Sequence, residues 1–292
     1  MNGILIINKE KGYTSRDVVN IVSKKLGIKK VGHTGTLDPL ATGVLVVCVG
    51  NATKLVDLLT SAYKEYIATV ELGTLTDSLD SDGKIIDELD SIIKKEEIEK
   101  VLYSFIGTYD QEVPIYSAVR VNGKKLYEYA RNSLEVELPK RNVEIRKIEL
   151  VSDVEYVNNK TIFKFRCLVS KGTYIRSLIR DIAYRLNTIG IMTDLIRTKQ
   201  GKFKIEDSIY VNQIESSKLI QIRDALNIRK VNVDDLMKFR VSNGQILNNI
   251  YNEEQVLFLD NENKEIALYI TDLKDKSKLR PYKVFGGLRD WH

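Results

Sequence analysis

The chain has 292 residues and a formal net charge of +5, with 43% hydrophobic and 29% charged residues. This composition is that of an ordinary globular protein and excludes a collagen-like or low-complexity chain. No apolar run approaches the roughly 20 residues that span a membrane, so we expect a cytoplasmic protein with no membrane partner. The mild positive charge is compatible with a nucleic-acid partner without requiring one.

Cysteine and histidine usage argues against disulfides and metals. Cys48 and Cys167 lie in separate apolar runs, where we expect buried free thiols in a reducing compartment. His33 and His292 are the two histidines, and no Cys/His cluster has the spacing of a zinc site. The acidic stretch at 77–83, DSLDSDG, resembles a calcium loop, but its acids are at the wrong loop positions. The sequence therefore predicts no metal.

The N-terminal part of the chain alternates apolar strands with amphipathic helices. Residues 14–27 have clear helix signals, because Thr14 or Ser15 can cap the first turn and Gly27 follows the last apolar position. The run 44–50 is apolar on both faces, which indicates a strand inside a sheet. The other elements predicted here are strands at 3–9 and 64–73 and helices at 51–60 and 94–107.

Residues 108–141 interrupt this pattern, since they are rich in Tyr, Lys and Arg and poor in contiguous apolar residues. We predict an insertion of about this extent whose ends return to the sheet. Regular elements resume after it, as strands at 142–156, 161–170 and 193–203 and a helix at 174–187.

Polar sequence near 212–230 indicates a domain boundary. The segment after it has short strands separated by Asn, Asp and Gly turns, with a hairpin expected at 261–263. The predicted architecture is therefore an α+β domain at 1–230 and a small β-rich module at 231–292.

One loop combines a carboxylate with backbone restraints. In VGHTGTLDPLATGVL, residues 31–45, Asp38 precedes Pro39 and lies between Gly35 and Gly43. Pro39 restricts its own backbone and that of Asp38, and the following buried strand anchors one end of the loop. A carboxylate placed in this way is suited to act as a nucleophile or a base. The alternative is an ordinary turn in which Asp38 bonds to nearby backbone groups.

Two further features point to anionic and aromatic contacts. Arg176 and Arg180 lie four residues apart on the predicted helix 174–187, where like charges repel unless an anion is near. Arg176 is therefore suited to face a carboxylate or a phosphate; the alternative is a solvated Arg176 and an Arg180 paired with a surface acid. Tyr66, near the start of its strand, is either a core residue or a platform on which a base stacks.

Together these segments resemble the TruB-type pseudouridine synthases, which modify the T arm of tRNA. The loop motif GHTGTLDPLATGVL carries most of the resemblance, which covers about residues 3–210. The segment LKDKSKLRPYKVFGG, near the C-terminus, more weakly resembles the RNA-binding PUA-type module of these enzymes. The other matching segments, in family order, are NKEKGYTS (8–15), KEYIATVELGTLTDSLDSDG (64–83), VPIYSAVRVNGKKLYEYAR (113–131), SKGTYIRSLIRDIA (170–183) and LIRTKQGKF (195–203).

The resemblance implies a stand-alone enzyme with a pseudouridine-synthase-like, mainly antiparallel sheet flanked by helices. It would isomerise a uridine of the tRNA T loop without a cofactor. Asp38 would be the nucleophile or base, Arg176 would pair with it and keep it ionised, and Tyr66 would stack on the uracil and reach the C5 proton. Which atom Asp38 attacks first stays open.

The resemblance also implies a set of substrate contacts. Tyr174 and Leu195 would line the base pocket, His33 would fill the space left by the flipped nucleotide, and Lys9 would brace the Asp38 loop. Cationic residues of the insertion would clamp the RNA stem-loop, alongside a basic tail at 272–292. The insertion residues with this expected role are Arg120, Lys124, Lys125 and Arg131.

The chain differs from the family pattern at several positions, and two alternative functions are considered. The chain has Glu10 where the family usually has Pro after Lys9, Val113-Pro114 in place of paired prolines, and Arg120 in place of Lys. None removes a proposed catalytic group. A tRNA-binding or tRNA-folding protein, and a guide-dependent enzyme of the archaeal and eukaryotic branch, are the alternatives. We expect a monomer that binds tRNA and needs no guide RNA.

Overall fold

The computed structural model describes residues 1–285. Its α-helices are α1 (Ser15–Leu26), α2 (Val56–Thr60), α3 (Lys95–Tyr103), α4 (Leu126–Arg131), α5 (Ile175–Arg185), α6 (Ile222–Ala225) and α7 (Asp235–Ser242). Short 3₁₀ turns lie at Gly50–Leu55, Ile205–Asp207, Val211–Gln213 and Ser216–Lys218.

The strands of the first part of the chain are β1 (Gly3–Lys9), β2 (Val31–His33), β3 (Thr42–Val49), β4 (Lys64–Leu72), β5 (Thr74–Thr76), β6 (Ile85–Glu88), β7 (Gly107–Glu112), β8 (Arg120–Val121), β9 (Lys124–Lys125) and β10 (Lys140–Leu150). The later strands are β11 (Glu155–Val157), β12 (Lys160–Val169), β13 (Gly190–Gln200), β14 (Phe203–Lys204), β15 (Arg229–Asn232), β16 (Leu247–Asn248), β17 (Gln255–Leu259), β18 (Glu265–Thr271) and β19 (Lys278–Val284).

The main sheet has the strand order β1-β3-β13-β4-β12-β10-β7, with β2, β14 and β11 paired to β3, β13 and β12. Neighbouring strands in this sheet are antiparallel except for β13 and β3, which run parallel where Ile196 and Arg197 pair with Thr42 and Gly43. The predicted α+β class with a mainly antiparallel sheet is confirmed. The parallel pair matters for function, because it places the end of β13 beside the start of β3, directly after the Asp38 loop.

Alternating side chains of the central strands form the main core. In β12 the expected face of Phe163, Phe165, Cys167 and Val169 is buried to within 1% of complete burial. The apolar face of α5 packs on the same core. Both thiols are free and buried, and burial raises the pKa of Cys48 to about 12. The cysteines therefore serve as small apolar core residues.

Most predicted elements of the first domain are present, with shifted ends. Thr14 caps α1 in a capping box with Asp17, and Gly27 ends the helix with a left-handed backbone, as predicted. The predicted helix 94–107 ends earlier, at Tyr103, and Gly107 already belongs to β7. The predicted helix 51–60 begins as a 3₁₀ turn and becomes α-helical only at Val56.

The insertion leaves the sheet later than its composition indicates. Residues 107–112 form β7 and residues 140–150 form β10, and these strands pair along the edge of the main sheet. The segment outside the sheet is therefore 113–139, which we call the insertion below. It contains the β8–β9 hairpin and α4.

The C-terminal part forms its own sheet, in the order β15-β17-β18-β19-β16. The predicted hairpin is present, since β17 and β18 pair as antiparallel strands around residues 260–264. Leu257, Leu259 and Leu268 pack into one core with residues of β1 and β3, so this module is seated against the main sheet. The end of the predicted basic tail, including Arg289, and His292 lie outside the described residues.

No helix within residues 1–285 is long and apolar enough to cross a membrane. In the same part of the chain, no group of three His, Cys, Asp or Glu side chains is arranged to hold a metal ion.

Candidate active site

The central feature of the site is an ion pair between Asp38 and Arg176. The Asp38 loop (residues 34–41) connects β2 to β3 and carries Asp38 at its outer turn, where 38% of the side chain is exposed. Arg176, in the first turn of α5, is buried, and its Nη2 lies 2.9 Å from Asp38 Oδ2. The buried guanidinium therefore binds the carboxylate and leaves it accessible to solvent. Of the alternatives considered for Arg176, a carboxylate partner, a phosphate partner or a solvated side chain, the structure shows the carboxylate partner.

The backbone on both sides of Asp38 is bonded to the first strand and helix. The hydroxyl of Ser15 accepts from Leu37 N–H at 2.8 Å and donates to the Leu37 carbonyl at 3.1 Å. The Lys9 ammonium is buried and donates to the carbonyls of Pro39 and Tyr13, at 3.4 and 2.7 Å. Burial lowers the pKa of Lys9 to about 8, although the Asp38 carboxylate acts against this shift.

Arg197 holds the base of the loop, a role that no sequence motif predicted. Its guanidinium is fully buried and donates from Nε to the Val44 carbonyl at 2.6 Å and from Nη2 to the Gly35 carbonyl at 3.1 Å. One side chain therefore ties the start of the Asp38 loop to the strand that follows the loop. Gly43 is required beside it, because its φ is +97° and a Cβ there would lie 2.3 Å from the Arg197 carbonyl oxygen.

A cavity of about 200 Å³ opens above the ion pair. Tyr66 on β4 and Leu195 on the neighbouring strand β13 both line it, with Leu195 paired to Ala68 in the strand register. Tyr174, the residue before α5, also lines it. The predicted catalytic trio and both predicted pocket residues therefore converge at one place. The lining residues are Thr36, Leu37, Asp38, Tyr66, Tyr116, Ser117, Ala118, Thr173, Tyr174, Ile175, Arg176, Met192 and Leu195.

Asp80 is a second carboxylate on Arg176 that sequence reasoning passed over. Its Oδ2 lies 3.6 Å from Arg176 Nη1, and the same Nη1 donates to the Ser78 carbonyl at 3.0 Å. Burial raises the pKa of Asp80, with Ser78 and Arg176 opposing that shift. Leu79, which lies between Ser78 and Asp80, has a φ of +64°, a backbone conformation that is energetically unfavourable for a bulky residue. The acidic turn 77–83, set aside as a calcium loop, thus orients Arg176.

The insertion completes the surroundings of Arg176. Its Nη2 donates to the Tyr116 carbonyl at 3.1 Å, and the Tyr116 hydroxyl donates to Asp77 at 3.1 Å. Arg180, one turn further along α5, instead binds Glu112 and Asp181, each at 2.9 Å. The two arginines are therefore compensated by separate carboxylates, which removes the repulsion expected from their spacing.

Comparisons with known proteins decide the family of this site. The model of the TruB family of pseudouridylate synthases, in its N-terminal domain, matches residues 23–175. The chain is 42% identical to tRNA pseudouridine synthase B of Geobacillus thermodenitrificans, over 98% of this chain and 100% of that protein. It is 43% identical to the protein of the same name in Mesoplasma florum, over 92% and 93%.

The chain belongs to the TruB family. Among solved structures, a chain in the crystal structure of a Cbf5-Nop10-Gar1 complex is similar, with a TM-score of 0.71 and 26% identity. That match covers 99% of this chain and 86% of the other. The likeness therefore extends across both sheets of this TruB-family chain.

The remaining predicted contact residues of this TruB-family protein are not among the described residues that line the cavity. His33 ends β2 at the start of the Asp38 loop, where its Nδ1 accepts from Gly35 N–H at 3.3 Å. Burial, followed by the charges of Arg197 and Arg16, lowers the pKa of His33, so its neutral form is favoured.

The predicted cationic contacts lie in the outer part of the insertion. Arg120 and Lys124 are exposed, and Arg120 donates to the Gly123 carbonyl at 2.8 Å. Lys125 and Arg131 are placed about the ring of Tyr127, at 5.3 and 5.4 Å from its centroid. These side chains form a basic and aromatic surface on the insertion.

Proposed function

We propose that this TruB-family chain converts a uridine in the T loop of tRNA to pseudouridine, acting without a guide RNA. The observation that carries the proposal is the Asp38–Arg176 ion pair at the floor of a cavity walled by Tyr66. Relatives named tRNA pseudouridine synthase B, matched over nearly the whole chain, support tRNA as the substrate.

The reaction requires no redox partner. The bond between N1 of uracil and C1′ of the ribose breaks, the base turns, and a bond forms between C5 and C1′. The C5 hydrogen leaves as a proton and N1 takes one up, so atoms and electrons balance. The chain's own residues must therefore supply a group that attacks or deprotonates, a fixed orientation for it, and a place in which the detached base turns.

Asp38 is the proposed attacking or proton-abstracting group. Arg176 fixes the direction of its carboxylate through a charge-assisted hydrogen bond, and Asp80 and two carbonyls fix Arg176 in turn. Tyr66 supplies a rigid ring on which uracil stacks, and its side chain is proposed to reach the C5 proton. Tyr174 and Leu195 enclose the base from the sides.

Access to the base requires that the nucleotide leave its loop, which costs a few kcal/mol of unstacking. His33, neutral and anchored at the edge of the Asp38 loop, is proposed to occupy the space that the nucleotide leaves. The basic and aromatic surface of the insertion, with Arg120, Lys124, Lys125 and Arg131, is proposed to hold the phosphates of the stem-loop. Lys9 is proposed to brace the loop beneath Asp38.

We further propose a monomer that acts in the cytoplasm. The bacterial relatives support action without a guide, whereas the structural neighbour was crystallised in a Cbf5-Nop10-Gar1 complex. The C-terminal sheet is proposed to be a PUA-like RNA-binding module.

Incubating the purified protein with an unmodified tRNA transcript, in the absence of other proteins and guide RNA, tests this proposal. Mapping of the RNA is expected to reveal pseudouridine at one T-loop uridine. Modification elsewhere would change the substrate assignment. A protein that binds tRNA and forms no pseudouridine would contradict the enzyme and favour a folding factor, and modification only after guide RNA is added would favour the guide-dependent branch.

A further inference from the structure

Gln111, on β7, makes a two-way contact with the backbone beside the active site. Its Oε1 accepts from the Tyr174 N–H at 2.8 Å, and its Nε2 donates to the Tyr174 carbonyl at 3.1 Å. The side chain is 1% exposed. The pair reproduces one rung of a β-ladder, so it fixes both the position and the direction of the Tyr174 backbone.

This contact is at the point where α5 begins. Tyr174 is the N-cap residue, with an extended backbone at φ −100° and ψ 116°, and its own side chain makes no capping hydrogen bond to the described helix. Helix starts normally depend on such a side-chain cap. Gln111 takes over part of that task from a neighbouring strand. Arg176 follows two residues later, so the entry of the chain into α5 determines where its guanidinium points.

The second N–H of the Gln111 amide is also used, which locks the side chain. Nε2 donates to the Tyr109 hydroxyl oxygen at 2.6 Å, and that hydroxyl donates to Asp181 at 3.3 Å. Arg180 binds Asp181 and Glu112, the residue after Gln111. These hydrogen bonds and ion pairs together connect β7 to α5 immediately before the insertion begins at residue 113.

We propose that Gln111 is a positioning residue for the isomerisation, holding Tyr174 and the first turn of α5 so that Arg176 meets Asp38. This inference rests on the proposed function. It assigns Gln111 no contact with RNA and no proton transfer. The competing interpretation is an ordinary structural bond that stabilises the fold and leaves the rate unaffected.

The deciding variant is Gln111→Met, which keeps the length and volume of the side chain and removes its three hydrogen bonds. Tyr109→Phe is the matched control, because it removes the third bond, together with the Tyr109–Asp181 bond, and keeps both bonds between Gln111 and Tyr174. Three quantities are compared with wild type: the single-turnover rate on a tRNA transcript, the Kd for tRNA by filter binding, and the melting temperature. We expect Gln111→Met to slow the rate about 10- to 100-fold with Kd within about twofold, since small misplacements act on the rate.

Tyr109→Phe is expected to stay within about threefold of the wild-type rate. A wild-type rate for Gln111→Met, with or without a lower melting temperature, would overturn the inference. So would a slowing no larger than that of Tyr109→Phe, or a loss confined to tRNA affinity.

Gln111→Glu provides a second measurement, which decides the matter if Gln111→Met does not fold. A protonated glutamate offers one acceptor and one donor in the place of the amide, whereas the carboxylate cannot donate to the Tyr174 carbonyl. The titratable and charged groups around this position are Tyr109 and Glu112 on β7, Arg180 and Asp181 on α5, and Arg141 on β10, which is paired with Gln111. We expect the rate of Gln111→Glu, relative to wild type, to rise as the pH falls from about 8 to about 6, because burial favours the protonated acid.

A relative rate that does not change with pH would contradict the inference. Failure of the proposed function is a separate result: the wild-type protein would then form no pseudouridine. A wild type that is active, beside variants that are equally active, would overturn only the role of Gln111.

Discussion

The Asp38 loop and the insertion both contact Arg176, but they are built in opposite ways. The loop is held by buried polar side chains that form hydrogen bonds with its backbone, namely those of Lys9, Ser15 and Arg197. In the insertion, by contrast, four residues between 113 and 139 are buried, and its cations are largely solvated. The difference indicates a division of labour, in which the loop fixes the reacting carboxylate and the insertion adapts to RNA.

This comparison makes distinct predictions for the two regions. Changes beneath the loop should act mainly on the rate of the chemical step. Changes in the insertion should act on tRNA affinity and its salt dependence. The largest effect is expected at Arg176, where the two regions meet.

Arg176→Lys keeps the positive charge and is still expected to lower the single-turnover rate about 10²-fold. A single ammonium cannot bond at once to Asp38, Asp80 and the two carbonyls that the planar guanidinium reaches. The rate of pseudouridine formation at saturating enzyme is the measurement. Arg185→Lys, at the exposed end of the same helix, is the control and should retain the wild-type rate.

Arg197→Lys is expected to lower both the stability and the rate. The shorter, single-headed side chain leaves at least one of the Gly35 and Val44 carbonyls unpaired, so the free energy of unfolding should fall by about 1–3 kcal/mol. Urea titration measures this change. Lys199→Arg, two residues along β13, should leave the unfolding curve unaltered. A free energy of unfolding for Arg197→Lys equal to that of wild type would show that the two buried Arg197 hydrogen bonds contribute little to holding the loop.

Lys124→Gln and Arg131→Gln test the insertion. Each should raise the Kd for tRNA and reduce the slope of log Kd against log salt by about 0.7–0.9 per lost phosphate contact. The rate at saturating enzyme should not change. Lys100→Gln, an exposed lysine on α3, is the comparison. A slower rate with unchanged affinity would contradict the division of labour.

The smallest effect is a pH dependence of stability from Lys9. Its pKa is lowered from 10.5 to about 8 in the folded protein, mainly by burial, so between these values the unfolded chain binds more protons. The contribution of Lys9 to stability should therefore rise as the pH increases from about 8 towards 10. Urea unfolding of wild type and Lys9→Met over that range measures it. A stability difference that is constant with pH would contradict the burial of a charged Lys9.

Local sequence signals were sufficient for much of the fold. Thr14 and Gly27 mark α1 because capping is a property of a few adjacent residues, and the alternation in β12 predicts its buried face. The strand β7 was missed, because its residues are mostly polar and pair at an edge of the sheet. Composition there reflects solvent contact and carries no signal of strand pairing.

The same limit applies to the candidate site. The Asp38 loop motif identified Asp38, and order along the chain connected it with Tyr66 and Arg176. Arg197 and Gln111 escaped notice, since each acts on backbone groups far away in sequence and their partners are carbonyls and N–H groups that every residue has. Such contacts become visible only when the strands are placed side by side.

The central claim is that Asp38 carries the chemistry, and release of tritium from tRNA labelled at C5 of uridine tests it most directly. Asp38→Asn keeps the size and most of the polarity of the side chain, and Asp153→Asn, in an exposed loop, is the control. The account predicts release at least about 10³-fold slower than wild type for Asp38→Asn, with unchanged tRNA affinity and normal release for Asp153→Asn. Release by Asp38→Asn within about tenfold of the wild-type rate would contradict the account.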